Sequence, residues 1–124
     1  MEDNRAEQVE ALQALVEYSP RLIGAMKSVV SELNGNRQPD TDEYMQAIVN
    51  GMNWEIQVLN GTLELVNEKS VQIDKAEAND LFVAFSDTYQ AKDDAGLAAM
   101  FETKVIPFFE RLEAIAAGIA QAEA

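Results

Sequence analysis

Apolar residues early in the chain fall at Leu12, Leu15, Leu22, Met26, Val29 and Leu33, and Val16, Ile23 and Val30 widen the same stripe. Ser19 occupies the one turn of that stripe without an apolar residue. Steps of three, four and seven are the period of a helix, not of a strand. Pro20 follows Ser19, and proline is disfavoured inside a helix but favoured at its first position, where serine is a good cap. Because the stripe keeps its phase across Pro20, the pattern predicts a first helix over about 4–34, kinked at Pro20 or built from two closely abutted pieces. Asn34-Gly35-Asn36-Arg37-Gln38-Pro39 ends it.

Asp40 with Glu43 resembles a capping box and predicts a second helix over about 41–68. Met45, Met52, Leu59 and Val66 recur every seven residues there, flanked by Ile48 and by Val49, Ile56 and Leu63, with Tyr44, Val58 and Leu65 beyond. So wide an apolar arc suggests a centrally placed helix. Asp74 with Glu77 repeats the cap signature and opens a third helix, about 74–91, carrying Ala78, Leu81, Phe82, Phe85 and Tyr89. Asp93 and Asp94 are placed to cap a fourth, about 94–122, with Leu97, Phe101, Val105, Phe108, Leu112, Ile115 and Ile119 on one face. Pro107 lies inside it and predicts a kink or short break around 104–107, since it removes the bond to the Thr103 carbonyl. The five phenylalanines, Phe82, Phe85, Phe101, Phe108 and Phe109, read as core, but Phe109 follows Phe108 and must point elsewhere. No segment alternates as a strand does. The expected fold is all-α: one domain over 1–124, an up-down antiparallel bundle of four main helices.

Composition narrows the chemistry. The chain has 124 residues, no Cys and no His. Thiol nucleophiles, disulfides and zinc–thiolate sites are thereby excluded, along with the commonest general base. Five serines have no histidine to activate them, and neither a nucleophile elbow nor a phosphate-cradling glycine loop occurs. Fourteen Glu and eight Asp against nine Lys and Arg give a net charge of −13. Such a field repels phosphate backbones and anionic lipid, so neither nucleic acid nor a membrane surface is an expected partner. The acidic start is followed by an amphipathic stretch, not an apolar signal core, and no apolar run approaches a membrane span. A cytoplasmic protein is expected. A carboxylate di-iron bundle needs histidines the chain does not have. Asp40-Thr41-Asp42-Glu43 begins like a calcium loop but lacks its glycine and later ligands, and reads as a helix start. No metal, cofactor or catalytic residue is expected, and the protein reads as a non-enzyme.

Two features of the second helix draw notice. Asn53, Asn60 and Asn67 recur every seven residues, with Asn50 and Gln57 nearby, as an uncharged amide strip in a highly charged chain. Amides pair with backbone or fix register in helix pairs, and Trp54 beside the strip is a residue type favoured as an interface anchor. The plain alternative is a solvated face and a core tryptophan. Glu55, between Trp54 and Ile56, lies at the edge of the apolar stripe. A carboxylate there must find a partner or shift its pKa, and could anchor a ligand. The plain alternative is a boundary residue that reaches water or a cation.

The runs Met52-Asn53-Trp54-Glu55-Ile56-Gln57-Val58-Leu59-Asn60, Leu97-Ala98-Ala99-Met100-Phe101-Glu102 and Val105-Ile106-Pro107-Phe108-Phe109-Glu110 resemble those of short acidic all-helical bacterial proteins of unassigned function. That resemblance covers about half of the chain and implies a bundle without implying an activity. In size, charge and helix pattern the chain is also similar to flagellar export chaperones. The expected function is a protein-binding bundle, adaptor or chaperone-like, with a basic partner and Asn53, Trp54, Gln57, Asn60 and Asn67 at the contact. Two other readings stay open: a small apolar ligand held in a core pocket near Trp54 and Glu55, and a purely structural homodimer.

Overall fold

A computed structural model describes the backbone of residues 2–123 and the side chains of residues 5–123. Met1 and Ala124, the ends of the expected domain, lie outside the described residues. Helix α1 spans Glu2–Leu33, α2 Thr41–Val66, α3 Lys75–Gln90, α4 Asp94–Met100 and α5 Ile106–Glu123. A π-helical turn over Phe101–Val105 joins α4 to α5 into one long fourth helix. The fold is an all-α four-helix bundle, with no strand among the described residues.

Ion pairs show the up-down course of the chain. At one end Arg5, at the start of α1, bridges Glu68 just past α2 and Glu123 at the end of α5, at 3.0 and 2.8 Å. At the other end Arg37, in the α1–α2 turn, bridges Asp42 and Asp94, at 2.8 and 2.6 Å. Each pair is partly exposed, so it reports where the helix ends lie more than it stabilises them.

Local signals explain the boundaries. Gly35 takes φ +104°, a left-handed conformation that costs glycine little and ends α1. Asp74 caps α3 by accepting from the Ala76 amide at 2.9 Å, and Asp93 caps α4 by accepting from Gly96 at 3.0 Å. The expected Asp40 capping box does not form, since the Asp40 side chain makes no capping bond. Thr41 organises this turn instead. Its Oγ1 accepts from the Gln38 amide and donates to Glu32 Oε1, both at 2.7 Å, and so ties α2 to the last turn of α1.

The two interior prolines behave differently. Helix α1 runs through Pro20 as one helix, not two. Before Pro107 the fourth helix widens into the π turn, where the Ile106 amide donates to the Phe101 carbonyl five residues back. The interruption falls where Pro107 places it. Both Phe108 and Phe109 are then buried, 5.3 Å apart and nearly perpendicular. Phe109 belongs to the core, and Phe108 meets Phe82 of α3 edge-on at 5.3 Å.

The central helix is α1, not α2. It packs against α2, α4, the π turn and α5, while α2 rests chiefly on α1. Leu12, Leu15, Met26 and Val29 of α1 are completely buried, whereas Tyr44, Val49, Ile56, Val58 and Leu63 of α2 are only partly so. The wide arc of α2 comes from these half-covered flanks.

Candidate functional site

Helices α1 and α2 run antiparallel, and two consecutive residues on each meet at one level. Tyr18 and Ser19 of α1 face Trp54 and Glu55 of α2. Successive residues on a helix diverge by about 100°, so each pair has one outward and one inward member. The outward members are aromatic: Tyr18 and Trp54 lie edge to face, 5.6 Å between centroids at 85°. The inward members are polar, and both Ser19 and Glu55 are completely buried.

Gly51 makes this level possible. A side chain there would collide with the phenol of Tyr18 and press on Leu22 at 3.0 Å. Tyr18 therefore reaches over Gly51 of α2 and meets Trp54 edge to face. Around the tryptophan, which keeps 39% of its surface exposed, the α1–α2 seam opens into two shallow depressions. Tyr18, Ala47, Asn50 and Gly51 line one. The other runs past Ala11, Gln57, Val58 and Gly61 to Glu7. In a chain of net charge −13, Glu7 is the one charged residue lining either among the described residues.

A family model described as a domain of unknown function (DUF8042) matches residues 10–115. The chain belongs to the DUF8042 family. The matched span contains Tyr18, Ser19, Trp54 and Glu55, so this level of the bundle lies within the DUF8042 domain, whereas Arg5 and Glu123 lie outside it. No curated protein and no solved structure matches the chain.

The amide strip of this DUF8042 domain divides into two parts. Asn53, Gln57 and Asn60 are exposed on the outer face of α2, with Gln57 between the strip and Trp54. Asn67 does a different job. Its Nδ2 donates to the Ile73 carbonyl at 2.9 Å, and its Oδ1 accepts from the Gln72 and Ile73 amides at 2.9 and 3.1 Å. It holds the turn between α2 and α3, and thereby places Ile73, completely buried, under the core. The heptad spacing that joins Asn67 to the other two is therefore not a shared role. Asn50, exposed beside Trp54, accepts from Gln46 at 3.0 Å.

Glu55 is a core residue rather than a boundary one. Among the described residues its one hydrogen-bond partner is Ser19, whose Oγ lies 3.0 and 3.2 Å from the two carboxyl oxygens. The same Oγ is 2.8 Å from the Leu15 carbonyl. Burial pushes the Glu55 carboxyl up to about 7; the bond from Ser19 acts against that shift, and Glu113 of α5 adds to it. Trp54 and Glu55 thus face different ways and do not share a pocket wall. Ser19 is the functional candidate the sequence hides, because serine before proline reads as a cap. The signal was its place on the core stripe: a polar side chain in the one turn without an apolar residue needs a partner inside. Among the described residues no three acidic side chains converge in a metal-binding arrangement.

Proposed function

We propose that the protein is a non-enzymatic, protein-binding bundle whose docking surface is the α1–α2 seam around Trp54. The observation that carries this is the half-exposed tryptophan braced edge-on by Tyr18, between depressions lined by small, apolar and amide side chains. Braced aromatics in charge-poor surroundings are what interface centres are made of. Asn53, Gln57 and Asn60 form the polar rim on the α2 side. A rigid aromatic edge gives a partner's apolar side chain somewhere to seat, and exposed amides pair with its backbone. The chain's net charge of −13 favours a polypeptide with basic flanks and speeds encounter with it. An adaptor or chaperone-like role suits such a surface.

Affinity capture from the native cell with mass spectrometry tests the reading, comparing wild type with Trp54→Ala, with Asn53→Lys/Asn60→Lys, and with Val83→Lys on α3. A basic protein should be recovered by wild type and Val83→Lys, and lost or weakened with the other two. The exposed Asn53→Lys/Asn60→Lys and Val83→Lys substitutions should leave melting nearly unchanged, whereas Trp54→Ala also gives up the edge-on contact with Tyr18 and should lower it modestly. Equal recovery by all four proteins would defeat the proposal. Self-association lost on Trp54→Ala would assign the seam to a second copy of the chain.

A further inference from the structure

The buried pair Ser19–Glu55 contains fewer hydrogens than an ionised acid would need. A serine hydroxyl has one hydrogen and here faces two acceptors, the Leu15 carbonyl at 2.8 Å and the Glu55 carboxyl at 3.0 Å. If Glu55 carries a proton, both bonds form: its O–H donates to Ser19 Oγ, and Ser19 donates to Leu15. If Glu55 is ionised, Ser19 is left as its sole donor among the described residues and must abandon Leu15 to serve it. A full charge with one donor and no solvent is an arrangement that folded proteins avoid. The charge that bears on it from the neighbouring helix, Glu113 of α5, has the same sign, and Ser19 is the group that faces it from α1.

The backbone beside the pair is weak. Pro20 has no N–H to give the Val16 carbonyl, so α1 lacks one of its bonds at this level. The aromatic ridge lies one residue away on both helices of the contact: Tyr18 precedes Ser19 and Trp54 precedes Glu55.

We propose that Glu55 is a proton switch for the α1–α2 seam: protonated, it locks Ser19 and holds the Tyr18–Trp54 ridge closed, and ionised, it opens α1 from α2 at the Ser19–Pro20 level. The proton passes between the Glu55 carboxyl and solvent as the seam loosens to admit water. Control of docking by this switch rests on the function proposed above, but the switch itself does not need a partner.

The test uses the isolated chain. Carboxyl-carbon NMR should show Glu55 titrating near neutrality, well above the ordinary carboxylate range. Over about pH 5 to about pH 9, Trp54 emission and amide exchange over residues 15–23 should change with the same midpoint. Glu55→Gln, which donates to Ser19 but cannot ionise, should hold the low-pH emission and slow exchange throughout. Glu55 titrating in the ordinary carboxylate range would overturn the proposal, and the wild-type spectrum alone decides that. So would Trp54 emission that follows pH equally in Glu55→Gln, or exchange that does not move when Glu55 titrates. Should the titration hold while Trp54→Ala captures the same proteins as wild type, the docking reading fails and the switch stands.

Discussion

Ser19 and Glu55 are compatible as neighbours only while a proton lies between them, and this makes stability depend on pH with a definite sign. Unfolded, Glu55 has an ordinary value of 4.5, and folded it has one of about 7. Below 4.5 it is protonated in both states, and its burial involves no charge. Above that the folded protein holds a proton that the unfolded chain releases, so rising pH favours unfolding until about 7 is passed. The loss amounts to up to about 3 kcal/mol. Urea unfolding near pH 5.5 and near pH 8 should show it for wild type and largely remove it for Glu55→Gln; an equal difference in both proteins would show that other groups dominate. Glycine offers a second contrast at this scale. Alanine at Gly61 meets nothing within 4 Å, so Gly61→Ala should stabilise α2 by about 0.5–1 kcal/mol. Gly51→Ala gains the same propensity but displaces Tyr18 and crowds Leu22, which costs about 1–3 kcal/mol. It should therefore be the less stable of the two, with altered Trp54 emission. Neither Ser19 nor Asn67 could be assigned from spacing alone. Ser19 looks like a cap and Asn67 like one of a series, and only their partners, 36 residues away on another helix and within the turn to Ile73, separate those roles.

The helices themselves are readable, since each long segment repeats its apolar residues with the period of a helix, and Gly35 ends the first while Asp74 and Asp93 open later ones. What escaped was the ranking among them. An apolar arc measures how much of a helix is greasy, and burial depends on how many neighbours it has. Helix α1, with the narrower stripe, has four packing neighbours and becomes the axis of the bundle, while the flanks of α2 remain half covered. The same distinction governs the prolines. Pro107 lies where Phe101 and Val105 must both reach the core, and the π turn lets them do so. Pro20 is exposed on the outside of α1, where tight packing on the opposite face keeps the helix continuous despite a missing bond. Pro20→Ala restores that bond without touching the core. It should raise stability by about 1–3 kcal/mol, and slow amide exchange around residues 16–20. No gain would mean that the Val16 carbonyl is already satisfied by another donor.

Charge acts on the whole molecule, and it acts in two directions. Arg5 and Arg37 hold Glu68, Glu123 and Asp94 below their ordinary carboxylate values through charge-assisted bonds, so those pairs contribute above the ordinary carboxylate range and are lost as pH falls through the lowered values. Glu55 works against the bundle as pH rises towards 7. Stability should therefore peak in mildly acidic solution, at about pH 5. Above that peak, 22 acidic residues face nine cations. Three of the nine, Arg5, Lys27 and Arg37, are engaged in the ion pairs among the described residues. These pairs are short and local, and their partly exposed partners make each of them worth little. Repulsion among the remaining acids is spread over the surface and extends about 8–10 Å at physiological salt, further when dilute. Adding salt weakens both, but it removes more repulsion than attraction in a chain of net charge −13. At neutral pH the melting temperature should therefore rise as sodium chloride is raised from low to physiological strength. The rise should shrink at about pH 5, where part of the acidic charge is neutralised. A melting temperature that falls with salt at neutral pH would mean that the Arg5 and Arg37 clusters outweigh the net field.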